Sequence, residues 1–491
     1  MCPRVAPAVS EAGAGAPGLR LRAVLLGFFL LWSAANAPAL RHAWWHVDDY
    51  CQDFSEISVA HNLGLGRPGQ FLVVATFALE GKGRHPAANI ALRLLQGGLH
   101  SLAAALLAAA LYERTRRRAT VFAALPFLLC PFAVEPTLWR SGIGYALSAV
   151  LSLLGLRLMP ARRVAASCLV VAAMLTQPLA AFAAAGAWCL SASLSVLGEG
   201  AAAFRRLRAE AVRLAMAYGA GAAAALALAA TQEAPWRARM DLSPDWAERL
   251  RVLADANATF FSRSFVAQWE GVGRLHAFFP VLALLPAALV ALRGQSRLRL
   301  WGASAILLSE LVVPYAPLLP VAETYLPDRL FYLAPLLHCG AWAVADHAWR
   351  DLRPLRMLAS GLLVALCLGY AFVTWTIAPV FGEVYQADLR LLRDLERRAR
   401  ASGAQSLFVC ARETTANANP YGIDFRGGPP RLSAFLTEWS AEGILEWHST
   451  LPVTRDEELR GDCCVHCDWT RSPSFHSMRL AEGPVYCGCA P

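Results

Sequence analysis

Long apolar runs separated by short charged stretches make up most of the chain. A membrane-spanning helix needs about 20 consecutive apolar residues, and by that measure the pattern predicts eleven transmembrane helices. They fall near residues 21–40, 88–112, 119–138, 141–159, 164–177, 180–198, 212–231, 277–293, 299–320, 330–347 and 355–379. We therefore predict an all-α polytopic membrane protein.

One apolar run, 164–198, is interrupted by Thr176-Gln177-Pro178. Proline lacks a backbone N–H and clashes with the preceding helical turn, so we predict two short spans with a tight turn between them. A single helix would place the basic clusters before and after it on opposite sides of the membrane.

The basic residues between the predicted spans alternate with loops that lack such clusters. By the positive-inside rule the clustered side is cytoplasmic, which puts the N-terminus inside and the C-terminus outside. The opposite side receives the loops 41–87, 134–141, 232–276 and 321–329 and the tail after Val380. The clusters are at 20–22, 114–118, 162–163, 205–208, 293–299 and 350–356.

Composition agrees with this class. The chain is 56% hydrophobic and 16% charged over 491 residues, with a mean hydropathy of +0.40, which excludes an ordinary soluble protein. The net charge of +9 comes from the basic clusters between the predicted spans, which set the membrane topology, so no nucleic-acid partner is expected. Lys82 is the single lysine among 45 basic residues, a bias that indicates a bacterium and thus an inner-membrane location.

The pattern divides the chain into a cytoplasmic tail 1–20, a transmembrane domain 21–380 and an extracytoplasmic domain 381–491. The first apolar segment ends in Ala34-Ala35-Asn36-Ala37, which resembles a signal-peptide cleavage site. Its apolar stretch is longer than that of a signal peptide, which favours a retained anchor. The aromatic-rich loop 232–276 either guides a lipid-linked substrate or forms an amphipathic helix on the bilayer.

Six of the 13 cysteines lie in the C-terminal tail. An even number in an oxidising compartment predicts disulfide bridges, with the pairing unknown, while the close spacing of several leaves a zinc site as the alternative. Helical spacing over 384–402 and the strand-like run 406–410 predict a small α/β or irregular domain that caps the membrane part. The cysteines are Cys410, Cys463, Cys464, Cys467, Cys487 and Cys489.

Two adjacent carboxylates, Asp48 and Asp49, lie in the first predicted outer loop. Asp53 and Glu56 follow them and are alternative acids. Lys82 and Arg84 lie on the same side just before the second predicted span, and cations opposite an acid pair suit an anionic lipid phosphate.

Three segments carry a family resemblance. The first, 67–96, contains Arg67-Pro68 and Thr76-Phe77, then His85-Pro86, Asn89 and Arg93. The second, 131–142, contains Pro131, Glu135, Trp139, Arg140 and Gly142. The third, 325–333, contains Tyr325, Pro327, Arg329 and Tyr332. In this order they resemble the class C membrane glycosyltransferases, which include protein O-mannosyltransferases, lipid A aminoarabinose transferases and O-antigen glucosyltransferases. Arg93 and Cys130-Pro131 replace residues that are usually histidine and His-Pro, so the sugar stays open.

The resemblance implies an inverting transfer of sugar from a polyprenyl-phosphate donor to a glycan, lipid or protein acceptor on the periplasmic face. Asp48 or Asp49 would be the catalytic base. Lys82, Arg84, Arg140 and Arg329 would bind the donor phosphate, for which the alternative is a role as anchors at helix ends. Glu135, Asn89 and Arg93 would support the acceptor or the structure. The resemblance leaves open a divalent metal ion near Asp48 and Asp49.

The alternative from another class is a transporter or flippase for a lipid-linked glycan. A transporter predicts functional charges inside the spans and an internal repeat. By sequence position the charges gather at the outer ends of spans, and no repeat is found, so the sequence favours the enzyme.

Overall fold

The computed structural model describes residues 20–41, 43–44, 62–70, 85–139, 142–231, 245–264, 266–291, 297–319, 328–349, 352–401, 407–410, 444–445, 447–454, 463–467 and 485–488. Helices dominate the region before residue 402. They are α1 (Leu21–Ala35), α2 (Ala37–Leu40), α3 (Pro86–Thr115), α4 (Leu125–Leu129), α5 (Val134–Leu138), α6 (Ile143–Leu158), α7 (Arg163–Thr176), α8 (Pro178–Ala181), α9 (Ala183–Glu199), α10 (Ala203–Ala230), α11 (Trp246–Ala258), α12 (Val272–Ala291), α13 (Arg297–Leu308), α14 (Leu336–Ala348) and α15 (Arg353–Ala401).

Five helices in the described ranges are long and apolar enough to cross a membrane, and six if one bent pair counts as a span. This result agrees with a multi-pass, largely helical membrane protein. Shorter apolar helices occupy several other predicted spans, among them α1, α6 and α7. The count of eleven spans stays a prediction.

Helix α3 lies at the centre of the bundle. It packs against α1, α6 and α9, while α9 also packs against α13 and α14. Small residues allow the closest approaches: the ring of Trp32 on α1 fills the space where a Cβ at Gly97 would lie, at 2.0–2.3 Å from that position. A wider residue at position 97 would therefore separate α1 from α3.

The predicted break at Thr176-Gln177-Pro178 is confirmed. Helix α7 ends at Thr176, Gln177 is extended at φ −152° and ψ 99°, and α8 begins at Pro178. The Gln177 side chain accepts a hydrogen bond from Arg67 at 3.4 Å, so this turn lies beside the end of the 62–70 segment. Both were predicted to be on the outer side.

The prediction of one continuous helix over 119–138 is wrong. A 3-10 helix, Arg118–Ala124, leads into α4, Cys130 is extended, a 3-10 turn covers Pro131–Ala133, and α5 follows. The helical segments before and after this break, Arg118–Leu129 and Pro131–Leu138, are bent by 57° relative to each other. Pro131 cannot donate a hydrogen bond and forces the preceding residue out of the helical region, which explains the bend and turns Glu135 inward.

Helix α15 is longer than predicted. It joins the predicted span 355–379 and the predicted helix 384–402 into one element of 49 residues, about 74 Å at 1.5 Å per residue. It therefore extends well beyond a hydrocarbon core of about 30 Å. The C-terminal half of α15 carries the tail.

The tail contains a four-stranded sheet with the order β2-β1-β3-β4. The strands are β1 (Leu407–Cys410), β2 (Val453–Thr454), β3 (Cys463–Cys467) and β4 (Val485–Gly488). β1 is parallel to β2 and β3, and β3 is antiparallel to β4, with Val465 opposite Cys487. The predicted strand at 406–410 is confirmed. The side chains of the tail cysteines, and all of Cys489, lie outside the described residues, so disulfides and the zinc alternative stay predictions.

The predicted outer loop 232–276 contains α11. Asp245 begins this helix by accepting hydrogen bonds from the backbone N–H groups of Ala247 and Glu248 at 2.9 and 3.3 Å, an N-cap of ordinary kind. Trp246 and Leu250, one turn apart, are 65% and 64% exposed. An exposed apolar face of this sort suits an amphipathic helix at the bilayer interface.

Candidate functional site

Three buried polar side chains line one face of α3 near its N-terminus. Asn89, Arg93 and Gln96 are spaced four and three residues apart, which places them on one side of a helix, and each is 1–2% exposed. Asn89 Nδ2 donates to the carbonyl of Trp44 at 3.0 Å, and Arg93 Nε to that of Leu138 at 3.0 Å. Arg93 also donates to the Trp44 carbonyl, and Gln96 to that of Trp139. Helix α3 thus holds Trp44, near the start of one predicted outer loop, and Leu138 and Trp139, which lie inside another.

Trp44 packs beneath the Arg93 guanidinium. Cζ of Arg93 lies 3.8 Å from the centre of the indole ring, within the range of a cation–π interaction. The indole also stacks on the ring of Phe381 of α15, with ring centres 5.1 Å apart. Trp44 is 1% exposed, and Asp48 follows it by four residues in the sequence. The contacts fix the chain at the entrance to the loop that carries the acid pair.

Arg329 and Glu135 come together from two separate segments of the resemblance. Nη1 of Arg329 lies 3.8 Å from Oε2 of Glu135, whose side chain is 3% exposed, while that of Arg329 is 21% exposed. The Arg329 guanidinium also lies 5.4 Å from the Trp139 ring. Glu135 and Trp139 thus orient a cation that keeps part of its surface accessible.

The structure describes only some of the predicted site residues. Arg329, Glu135, Asn89 and Arg93 lie at the same end of the bundle, with Arg93 and Gln96 bound to the two residues just before Arg140. Asn89 and Arg93 are committed to main-chain carbonyls, which fits structural support. The remaining predicted residues lie outside the described ranges: Asp48, Asp49, Lys82, Arg84 and Arg140.

Sequence reasoning assigned no role to Trp44, Gln96 or His448. Gln96 could have been found, because it extends the 89, 93 polar face by one turn in an otherwise apolar helix. Nothing local to the sequence marks Trp44 or His448, whose partners are distant along the chain.

The tail docks on α15 at the same end. The rings of Tyr385 and His448 meet edge to face at 5.9 Å. Glu396 accepts hydrogen bonds from the Ser449 and Thr450 hydroxyls, each at 2.9 Å, and from the Thr450 backbone N–H. Burial lowers the pKa of His448 to about 4, so this imidazole is neutral at pH 7. The docked segment agrees with the predicted cap.

Two of the basic clusters, 114–118 and 205–208, come together at the opposite end of α3. Arg114 pairs with Glu210 at 2.8 Å, and Arg157 with Glu113 at 2.8 Å, around a cavity of about 290 Å³. Arg93 and Arg114 are 21 residues apart on α3, or about 31 Å at 1.5 Å per residue. That separation matches a hydrocarbon core of about 30 Å, as the alternation of charges predicts.

The charges are not confined to the ends of spans. Glu310, inside the predicted span 299–320, is 1% exposed. We expected the charges to gather at the outer ends of spans, and this expectation favoured the enzyme over a transporter. It is wrong for Glu310. The position of a residue along an apolar run does not show whether its side chain turns into the protein.

No group of three or more His, Cys, Asp or Glu side chains suited to a metal ion occurs among the residues with described positions. The acid pair, near which a divalent ion was left open, lies outside them. Comparison of the chain with known protein families, curated proteins and solved structures finds no match.

Proposed function

We propose that the chain is an inverting glycosyltransferase that moves a sugar from a polyprenyl phosphate to an acceptor at the outer face of a bacterial inner membrane. The observation that carries the proposal is the Arg329, Glu135 and Trp139 cluster. It combines a partly exposed guanidinium with a buried carboxylate, at the end of the bundle opposite the basic clusters. The N-terminus would be cytoplasmic and the C-terminus periplasmic.

The cluster supplies what the leaving group requires. As the bond from the anomeric carbon to the phosphate oxygen breaks, negative charge grows on the lipid phosphate, and a prearranged cation stabilises it. The fork of a guanidinium can donate two parallel hydrogen bonds to a phosphate. Arg329 carries such a fork, and its Nη1 lies 3.8 Å from Oε2 of Glu135. Lys82, Arg84 and Arg140 would add to this charge.

The base of the reaction would come from the loop that Arg93 and Asn89 hold at Trp44. The acceptor hydroxyl or amine attacks the anomeric carbon from the face opposite the phosphate, and its proton passes to Asp48 or Asp49. Asp48 and Asp49 follow Trp44 by four and five residues, and a segment of five residues spans at most about 18 Å. An anchor at Trp44 therefore limits how far the acid pair can lie from the Arg329 cluster.

A transporter of a lipid-linked glycan is the second candidate. Glu310 favours it, because ionisable side chains inside membrane segments commonly mark transport pathways. The two functions differ in their product: an enzyme breaks the sugar–phosphate bond, whereas a transporter moves the intact lipid across the bilayer.

Transfer by the purified full-length protein in lipid nanodiscs tests the proposal. A panel of radiolabelled undecaprenyl-phosphate sugars is supplied with an envelope glycan and lipid extract, and the label released from the donor is followed. The wild type should transfer one sugar. Arg329→Gln should lose activity by about 10²-fold or more, as expected for loss of a charge-stabilising donor, and Arg329→Lys should recover part of it.

Arg274→Gln is the matched control, because Arg274 is 77% exposed and pairs only at the surface with Glu270; its activity should equal that of the wild type. Movement of intact donor across a liposome membrane without transfer of the sugar would contradict the enzyme and support the transporter.

A further inference from the structure

Glu310 lies inside the candidate membrane span Arg299–Leu318, at a break in the α-helix. It belongs to a 3-10 turn, Ser309–Leu311, which directly follows α13 and precedes a second 3-10 stretch, Val313–Leu318. Glu310 is 11 residues beyond Arg299, or about 17 Å at 1.5 Å per residue. That is close to the middle of a hydrocarbon core of about 30 Å.

The carboxyl group packs against α9, and no cation among the described residues forms an ion pair with it. It is 1% exposed, and within the described parts of the chain neither carboxyl oxygen has a hydrogen-bond partner. A Cβ at Gly186 would lie 3.1 and 3.3 Å from the two oxygens and 2.5 Å from Leu336 Cδ1. Glycine at this position therefore makes the space that the carboxyl group fills.

Among the described residues, two thiols on the packed helices interact electrostatically with Glu310. Cys189 of α9 accepts a hydrogen bond from the Ser309 hydroxyl at 3.0 Å, and Cys339 of α14 lies within electrostatic range of Glu310. The ion pairs that the described residues form do not include Glu310. Neither thiol carries a positive charge in either protonation state, so neither can balance a carboxylate.

An ionised carboxylate in such a place is strongly unfavourable, because burial removes its hydration and no cation among the described residues replaces that hydration. The neutral acid avoids that cost. A divalent metal would need further ligands, and none of the described residues supplies a group of three or more around it. The proton is the cation that this geometry accommodates.

We propose that Glu310 is a proton-binding site inside the membrane, and that its neutral form keeps the broken segment after α13 packed against α9. The site takes one proton and stands independently of the proposed sugar transfer. Loss of the proton would leave an unpaired charge facing Gly186 and Leu336, and would drive the 3-10 turn away from α9.

Infrared difference spectroscopy of the full-length protein in lipid nanodiscs tests this directly. At pH 7 the wild type should show the carbonyl stretching band of a protonated carboxylic acid, which shifts in heavy water. The band should be missing in Glu310→Gln, which keeps the shape of the neutral acid. It should persist in Glu270→Gln, because Glu270 lies at the surface with its side chain 86% exposed. A spectrum in which Glu310→Gln removes only carboxylate bands would overturn the proposal.

Unfolding as a function of pH provides a second readout. A glutamate that stays neutral in the folded protein but ionises above about pH 4.3 when unfolded lowers stability as the pH rises. The melting temperature of the wild type should therefore fall relative to that of Glu310→Gln between pH 5 and pH 9. A constant difference over that range would contradict a neutral acid. If Glu310→Gln does not fold, Glu310→Asp replaces it in the spectra, where the acid band should move instead of disappearing.

Discussion

Replacing Arg93 with methionine should weaken the attachment of the Trp44 segment to α3. Methionine keeps an unbranched stem and a similar helix propensity but removes every hydrogen bond of the guanidinium. Arg93 is 2% exposed, so water cannot take over its role. The substitution therefore tests whether this arginine holds the segments at Trp44 and Leu138 together.

The size of the effect follows from the contacts. The carbonyl of Leu138 loses a charged donor at 3.0 Å, which is worth about 1.5–3 kcal/mol. The ring of Trp44 loses the guanidinium at 3.8 Å, worth about 0.5–2 kcal/mol. The Trp44 carbonyl keeps Asn89 as a donor at 3.0 Å and adds little. Together these contacts predict a loss of about 2–5 kcal/mol.

Equilibrium unfolding in mixed micelles measures this loss. Arg157→Met is the matched control, since Arg157 and its partner Glu113 have side chains 36% and 44% exposed, and such a pair contributes about 0–1 kcal/mol. A loss below about 0.5 kcal/mol for Arg93→Met, within the range of a neutral surface change, would refute the role given to Arg93.

Three further predictions concern packing, pH and the tail. Gly97→Ala should destabilise the protein by about 1–3 kcal/mol or more, because the added methyl group overpacks against Trp32. Gly98→Ala should be neutral or stabilising, since its Cβ would meet nothing closer than 3.9 Å. Equal free energies of unfolding for the two variants would contradict the α1–α3 contact. Burial lowers the pKa of His448 to about 4, so the unfolded state binds a proton before the folded state does as the pH falls from about 6.5. The stability of the wild type should therefore drop between pH 6.5 and pH 4, and that of His448→Leu should drop less. Thermal unfolding at each pH measures both. The six tail cysteines should resist alkylation after denaturation until a reductant is added, as mass spectrometry would show; alkylation after treatment with a chelator alone would favour zinc.

The sequence pattern predicted much of the helical framework. Apolar runs predict the helices because the period and the length of such a run are properties of the local sequence. The break at Pro178 follows from the missing N–H and the fixed ring of proline. Pro131 carried the same signal, but the surrounding run was apolar enough to mask it. The continuity of α15 through residue 380 could not be predicted, since a change in polarity marks the membrane surface and does not end a helix.

The candidate site was predictable in part. Glu135 and Arg329 were selected from a resemblance, and they lie together in the structure. The partners of Arg93 could not be predicted, because Trp44 and Leu138 lie 49 and 45 residues away along the chain and contribute backbone carbonyls, which every residue has. Glu310 was overlooked for a related reason: one acid in an apolar run does not show whether it faces lipid, solvent or another helix.

The most direct measurement of the proposed sugar transfer is the activity of the acid-pair variants. Asp48→Asn and Asp49→Asn are compared with Glu270→Gln, a carboxylate on another predicted outer loop whose side chain is 86% exposed. Transfer from radiolabelled undecaprenyl-phosphate sugars should fall by about 10²–10⁴-fold in one aspartate variant, the usual contribution of a general base, and should be unchanged in Glu270→Gln. Wild-type rates in both aspartate variants would contradict the assignment of the base to Asp48 or Asp49.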